Sequence, residues 1–263
     1  MEAERANLHA AAEYAAGRAC FPHATAIPVA MSGFLAARGH WDQSAALNQG
    51  ALAAARRADD RLGEADALAE LGSLEVLTGD YPAAATSYRQ ALALARSASD
   101  RLAEAAALNH LGLVQQLTGD YPAAASHQQA LALFRDLGNR LGQAEALNRL
   151  GELAARTSAG DLARKRHAQA LAIARDLRAA PEEARALEGL GQSHLRDGDP
   201  SQAAPHLRQA LTIYQRIGAP AAERVQEILH DHKLASALAA SPPATSYRRR
   251  FTDALSQEPD GTA

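Results

Sequence analysis

Residues 68–92 read LAELGSLEVLTGDYPAAATSYRQAL, and the architecture of the chain is written in their order. They belong to a longer run of helical spacing, Leu62 to Leu77, that is broken by Thr78-Gly79-Asp80 and followed by a second run from Tyr81 to Ala98. The order of residues at the break has a physical logic. Gly79 tolerates the backbone of a tight turn, Asp80 suits the positive end of the next helix, and Pro82 fits that helix's first turn. Two helices joined in this way make a helical hairpin.

The same letters return on either side of this hairpin. Thr78-Gly79-Asp80-Tyr81-Pro82 recurs intact as Thr118-Gly119-Asp120-Tyr121-Pro122. Leu71-Gly72 recurs as Leu111-Gly112, Leu150-Gly151 and Leu190-Gly191, at separations of 40, 39 and 40 residues. Ala51-Leu52 recurs at Ala91, Ala130, Ala170 and Ala210 with the same period. A second turn, marked by Asp60-Arg61, Asp100-Arg101 and Asn139-Arg140 and more loosely by Ala180-Pro181 and Ala219-Pro220, closes one hairpin and opens the next. A fixed period of this length means stacked supersecondary units, each burying its apolar face on its neighbours. Glycine inside a helix costs about 1 kcal/mol relative to alanine. The regular Gly72, Gly112, Gly151 and Gly191 therefore predict close helix contacts, with Ala91, Ala130, Ala170 and Ala210 expected opposite.

Leu68, Leu71-Gly72, Gly79-Asp80-Tyr81, Ala84, Tyr88 and Ala91 resemble the tetratricopeptide repeat signature, and the 40-residue period resembles its long-helix variety, as in kinesin light chain. The resemblance implies an all-α fold, a right-handed solenoid of stacked antiparallel hairpins, over roughly residues 22 to 230. Ala3-Glu4-Arg5-Ala6-Asn7-Leu8 and Arg38-Gly39-His40-Trp41 resemble the start of the repeat region in actinobacterial multidomain transcriptional regulators. In those proteins the repeats follow a nucleotide-binding switch domain. This sequence holds no GxxxxGK[ST] loop and no winged-helix stretch, so it is expected to be the sensor or adaptor part alone.

The expected organisation is a solenoid over 1–240 and a polar mobile tail over 241–263. Within the solenoid, 1–20 form an N-terminal helix, 21–58 a degenerate repeat, 61–217 four repeats and 220–239 a closing helix. Two irregularities stand out. Gly119 to Ala130 is one residue shorter than Gly79 to Ala91, and one missing helical residue rotates every later helical position by about 100° unless the turn absorbs it. The turn before the basic run Arg164-Lys165-Arg166-His167 is rewritten as Thr157-Ser158-Ala159-Gly160-Asp161. That run is expected on a solvated helix face.

Composition agrees with an all-helical chain. Of 263 residues only 4% are aromatic, and the residues that favour strands are scarce. The net charge of −3 provides no global positive field for nucleic acid. The single Cys20 allows no internal disulfide, and Met1-Glu2-Ala3-Glu4-Arg5 lacks the pattern of a secretory signal, so a cytoplasmic location is expected. No apolar run approaches the ~20 residues that span a bilayer, and no membrane partner is expected.

Catalytic and metal signatures are missing from the sequence. His230-Asp231-His232 places its imidazoles at i and i+2, on separate sides of a helix, whereas zinc helices use i and i+4. His110, His127, His167, His194 and His206 are read as surface or groove polar residues, and Cys20 as a buried small residue. Glu182-Glu183 suit a helix start. The expectation is a non-catalytic module without cofactor or metal.

The tetratricopeptide resemblance implies that the first helix of each hairpin lines a concave groove. Counted from the Leu-Gly pair, the positions it nominates are Asp66, Ala69, Ser73 and Val76; Asn109, Leu113 and Gln116; Glu145, Asn148 and Glu152; and Arg185, Glu188 and Gln192. Asn109 and Asn148 occupy equivalent sites where a carboxamide can both donate to and accept from an extended peptide backbone. Glu145, Glu152 and Glu188 suggest a ligand with some positive charge. The expected activity is protein or peptide binding in a regulatory sensor or adaptor. An oligomeric scaffold that covers its N-terminal helix by self-association is the alternative, and an enzyme or small-molecule binder on a helical solenoid a third.

Overall fold

The computed structural model describes residues 4–17, 21–119, 123–157 and 159–232. The expected tail over 241–263, the end of the closing helix, Cys20 and the turn residues Asp120-Tyr121-Pro122 lie outside the described residues.

Every regular element among the described residues is helical. An N-terminal helix α1 (Arg5–Gly17) precedes five hairpins. These are α2 (Phe21–Ala37) with α3 (Trp41–Ala58), α4 (Arg61–Thr78) with α5 (Tyr81–Ser97), α6 (Arg101–Thr118) with α7 (Ala123–Asp136), α8 (Arg140–Arg156) with α9 (Gly160–Leu177), and α10 (Ala180–Arg196) with α11 (Pro200–Ile217). Helix α12 (Ala221–Asp231) comes last. Each helix packs on the one before and the one after, and the first helices α2, α4, α6, α8 and α10 also touch one another in succession. The result is a solenoid with one face built from first helices.

The turns form as their residues dictate. Asp60, Asp80, Asp100, Asn139 and Asp199 each accept a hydrogen bond from the backbone N–H three residues on, satisfying a donor that a helix start otherwise leaves unpaired. Gly79 and Gly119 close α4 and α6 in the left-handed conformation, at φ of 82° and 80°.

Leu68, Leu108, Leu147 and Leu187 recur at the repeat spacing and are all buried, as are Ala91, Ala130, Ala170 and Ala210. They belong to one continuous core from Leu68 to Leu229. Fully burying each leucine contributes roughly 1.5–3 kcal/mol. The N-terminal hairpin has a smaller core of its own, with Ala12, Met31, Leu35 and Leu47.

The packing differs from expectation at the repeated glycine. Its nearest neighbour is not the alanine of the second helix but the side chain three residues earlier. A Cβ on Gly72 would lie 2.8 Å from the Tyr88 ring, on Gly112 2.8 Å from His127, on Gly151 2.6 Å from His167, and on Gly191 2.6 Å from Leu207. The glycine makes room for a ring or a branched chain, and at Gly191 the Ala203 backbone oxygen also lies 3.3 Å from the added carbon.

The missing residue of the third hairpin is absorbed before His127. Ser126 Oγ donates to Gln115 Oε1 at 2.7 Å, as Ser87 Oγ donates to Glu75 Oε2 at 2.8 Å, although the pairs are 11 and 12 residues apart. The rest of the array therefore keeps its register.

Candidate functional site

The position held by Tyr88 is held by Asn48 one repeat earlier and by His127, His167 and Leu207 in the three later repeats. All five are buried. Tyr88 keeps its hydroxyl 3.1 Å from Ser73 Oγ. His127 Nδ1 lies 2.8 Å from Asn109 Oδ1, and His167 Nδ1 lies 3.2 Å from Asn148 Oδ1. A carboxamide oxygen only accepts, so in each pair Nδ1 carries the proton and donates. Burial pushes both imidazoles down to about 4, and His110, packed 5.1 Å from the Tyr88 ring, is also pushed down to about 4 by burial. At neutral pH all three rings are uncharged.

These contacts overturn two expectations. His127 and His167 are core residues, not surface or groove residues. Asn109 and Asn148 are 5% and 0% exposed, and their carboxamides are engaged within the protein. Asn148 Nδ2 additionally donates to the Glu182 backbone oxygen at 3.1 Å and to Glu182 Oε2 at 2.8 Å, tying α8 to α10. Gln116 is buried as well.

Glu188 is the other buried member of the nominated set. Its carboxylate accepts from Tyr214 Oη at 3.0 Å, from Arg224 Nε and Nη2 at 3.0 and 2.9 Å, and from Gln192 Nε2 at 2.9 Å. Its charge is therefore answered inside the protein, and the bidentate pair fastens α12 to α10.

The residues that do face the open side come from a different row. On a helix, positions i, i+4, i+7 and i+11 share one face. In α4 these are Asp66, Glu70, Ser73 and Leu77; in α6, Ala106, His110, Leu113 and Leu117; in α8, Glu145, Arg149, Glu152 and Arg156; in α10, Arg185, Gly189, Gln192 and Arg196. All sixteen are half-buried or exposed. Of the positions nominated from the repeat, Asp66, Ser73, Leu113, Glu145, Glu152, Arg185 and Gln192 stand on this face. Glu70, His110 and Arg149 stand there too without having been nominated, although each immediately precedes a Leu-Gly pair and is within reach of the repeat alignment.

Contacts across this face link successive first helices. Arg156 Nη1 donates to the Gln116 backbone oxygen at 3.2 Å, and Arg185 Nε lies 3.8 Å from Glu152 Oε1. Arg149 Nη1 donates to Glu152 Oε2 at 3.3 Å, and Arg185 Nη1 to Glu182 Oε1 at 3.3 Å. Burial and then the neighbouring Arg185 lower the Arg149 guanidinium from its ordinary value. At the other end burial and then Asp100 and Asp60 hold the Asp66 carboxyl above its ordinary value, and burial does the same for Glu70.

Two cavities adjoin on the α8–α10 part of the face. One of about 510 Å³ is walled by Arg149, Arg185, Tyr214 and Arg224; another of about 210 Å³ by Gln116, Arg156, His167 and Arg196. Glu152, Gly189 and Gln192 line both. Among the described residues no group of three or more His, Cys, Asp or Glu could hold a metal, and no helix is long and apolar enough to cross a membrane.

A solenoid of helical hairpins with a polar face of first helices is in class a helical repeat protein. The tetratricopeptide repeat family model matches residues 23–97 and 142–216, more than half of the chain, and the chain belongs to that family, whose repeats form protein-interaction modules. No curated protein matches the sequence. Similar solved structures include BtubC (BKLC) from P. vanneervenii, 21% identical with a TM-score of 0.63 over 81% of this chain and 91% of that one. A signal transduction ATPase with numerous domains and a tetratricopeptide repeat sensor, from Pyrococcus horikoshii, is 15% identical with a TM-score of 0.61 over 88% of this chain and 36% of that one. Aspartyl phosphate phosphatase F from Bacillus subtilis is 14% identical with a TM-score of 0.62 over 89% of this chain and 61% of that one. At these identities the likeness is one of fold.

Proposed function

We propose that this chain is a regulatory sensor or adaptor that binds a protein partner, as a peptide segment, on the face of its first helices. The observation that carries the reading is the contrast between the two sides of each first helix. One side, with Asn109, Asn148 and the Leu-Gly pairs, is consumed by internal packing, while the row of Asp66, Leu113, Glu152 and Gln192 and its neighbours is left open across four consecutive helices. A repeat array that spends one side on stacking presents the other as a continuous surface. Asp66, Glu70 and Glu145 on that surface favour a partner with some positive charge. The signal transduction ATPase from Pyrococcus horikoshii carries a tetratricopeptide repeat sensor, which supports a sensor role here. A binding module, rather than an enzyme, is the reading that the open face supports.

The test is affinity capture with the intact chain, with Leu113→Arg on the open face, and with Gln128→Arg on the exposed side of α7. A partner retained by the intact chain and by Gln128→Arg but lost with Leu113→Arg supports the reading. A partner that depends on Gln128 and ignores Leu113 overturns it.

A self-association reading rests on one observation, the 64% exposure of Tyr14 and 46% exposure of Trp41 near the N-terminal end. Replacing both by serine should leave a monomer if they form a homo-oligomeric contact. Light scattering that shows the same mass for both forms removes that reading.

A further inference from the structure

The open face is not uniform, and its charges are sorted from one end to the other. The row on α4 carries Asp66 and Glu70 and no basic residue. The row on α6 is Ala106, His110, Leu113 and Leu117, and its histidine is uncharged at neutral pH. The row on α8 has two carboxylates and two guanidiniums. The row on α10 has Arg185 and Arg196 and no acid.

Internal ion pairs sharpen this sorting. Arg149 and Arg185 are held by Glu152 and Glu182, and Glu188 is held by Arg224. On this face the charges without an opposite charge at ion-pair distance among the described residues are Asp66 and Glu70 on α4, Glu145 in the first half of α8, and Arg156 and Arg196 at the ends of α8 and α10. Burial, and then Asp100 and Asp60, hold the Asp66 carboxyl above its ordinary value. Arg156 donates to the Gln116 backbone oxygen at the last turn of α6. Between the acids of α4 and these arginines lie Leu113, half-buried, and Leu117, 41% exposed.

We infer that the partner segment is itself polarised: basic at the end that meets Asp66 and Glu70 on α4, apolar where it crosses Leu113 and Leu117 on α6, and acidic at the end that meets Arg156 and Arg196 on α8 and α10. This rests on the proposed binding face of the first helices and fixes the chemistry and orientation of what occupies it. The track runs obliquely, from the middle of α4 to the C-terminal ends of α8 and α10. Three steps of 8–10 Å between neighbouring helices make it roughly 30 Å long, the reach of about nine extended residues. Complementary charge fixes orientation and excludes wrong partners more than it adds affinity, because a reversed segment places like charges together.

The experiment uses three synthetic nine-residue peptides and fluorescence anisotropy with the full chain. One has three lysines, three leucines and three glutamates in that order; the second has lysines at both ends; the third has glutamates at both ends. The first should bind about tenfold more tightly than either of the others at low salt, with the advantage shrinking as salt is raised. Arg156→Glu with Arg196→Glu should transfer the preference to the peptide with lysines at both ends. Asp66→Asn should weaken the polarised peptide selectively, and both variants should keep the helical circular dichroism of the parent because these side chains are exposed. Equal binding of all three peptides, no binding up to about 1 mM, or a preference that the arginine reversal leaves in place overturns the polarity. Leu113→Arg separates the two claims. If it abolishes binding of all three while they bind the parent equally, the face is right and the polarity wrong; if binding survives it unchanged, the peptides bind elsewhere and the face itself is wrong.

Discussion

The imidazole of His167 on α9 sits between two glycines of neighbouring first helices: a Cβ on Gly151 of α8 would come within 2.6 Å of the ring, and one on Gly189 of α10 within 2.4 Å. Its Nδ1 lies 3.2 Å from Asn148 Oδ1, and Asn148 in turn reaches Glu182 at the start of α10. One buried histidine thus joins three helices from two repeats.

That chain of bonds makes the two carboxamides structural. Asn109→Ala with Asn148→Ala should destabilise the fold, because each change leaves a buried imidazole N–H without its acceptor. A stranded buried donor costs about 1–3 kcal/mol. Urea unfolding should show a lower midpoint with an unchanged slope. An unaltered midpoint would mean that the carboxamides are not structural partners of His127 and His167.

A second prediction concerns pH. His110, His127 and His167 are held near 4 in the folded chain, against 6.5 for the free side chain. Between these values the unfolded chain takes up protons that the folded chain refuses, so stability is full above about 6.5 and falls as the pH drops towards about 4. The melting temperature should decline through that window, and His127→Asn with His167→Leu should flatten the decline. These replacements take the residues that the same position carries in other repeats, Asn48 and Leu207. A profile that stays level through the window would contradict the buried neutral state.

Gly112→Leu provides a third. The first added carbon would already be 2.8 Å from the buried His127 ring. Overpacking of this kind costs about 1–3 kcal/mol, on top of any loss of the Asn109 bond. Gly79→Ala acts differently, since nothing lies within 4 Å of its added carbon and only the left-handed φ of 82° resists. It should cost about 1 kcal/mol. Equal losses for the two variants would show that the helix contact is not tight.

The ion pair between Arg224 and Glu188 gives a fourth, with a built-in asymmetry. The Arg224 side chain is 60% exposed and that of Glu188 only 7%. Arg224→Ala should therefore cost little, about 1 kcal/mol or less, because water can approach the carboxylate that remains with Tyr214 and Gln192. Glu188→Ala should cost more, since it strands the Tyr214 hydroxyl and removes the acceptor shared by three side chains. Hydrogen exchange should show α12 opening faster in both.

The hairpins are legible in the sequence because their turns are written in residues with few other uses. Thr78-Gly79-Asp80-Tyr81-Pro82 states a helix end, a cap and a helix start within five letters, and its intact recurrence 40 residues on marks the period. The open face is legible only to within one residue. Asn109 and Asn148 look like ligand-binding carboxamides in isolation, and their partners stand 18 and 19 residues away, on the other helix of each hairpin. Aligning the repeats exposes the pairing, since His127 and His167 fall where Tyr88 stands and a buried imidazole needs an acceptor. The clamp on Glu188 has no such signal. Arg224 lies 36 residues beyond it, in a helix outside the repeated pattern.

Whether a partner lies along the first helices is decided by cross-linking mass spectrometry and hydrogen exchange on the complex with a captured partner. Cross-links and protection are expected on α4, α6, α8 and α10, at Asp66, Glu70, Glu145 and Glu152 among the reactive carboxylates, with α5, α7 and α9 unchanged. Protection confined to α5, α7 and α9, with the carboxylates of the first helices unlinked, would contradict it.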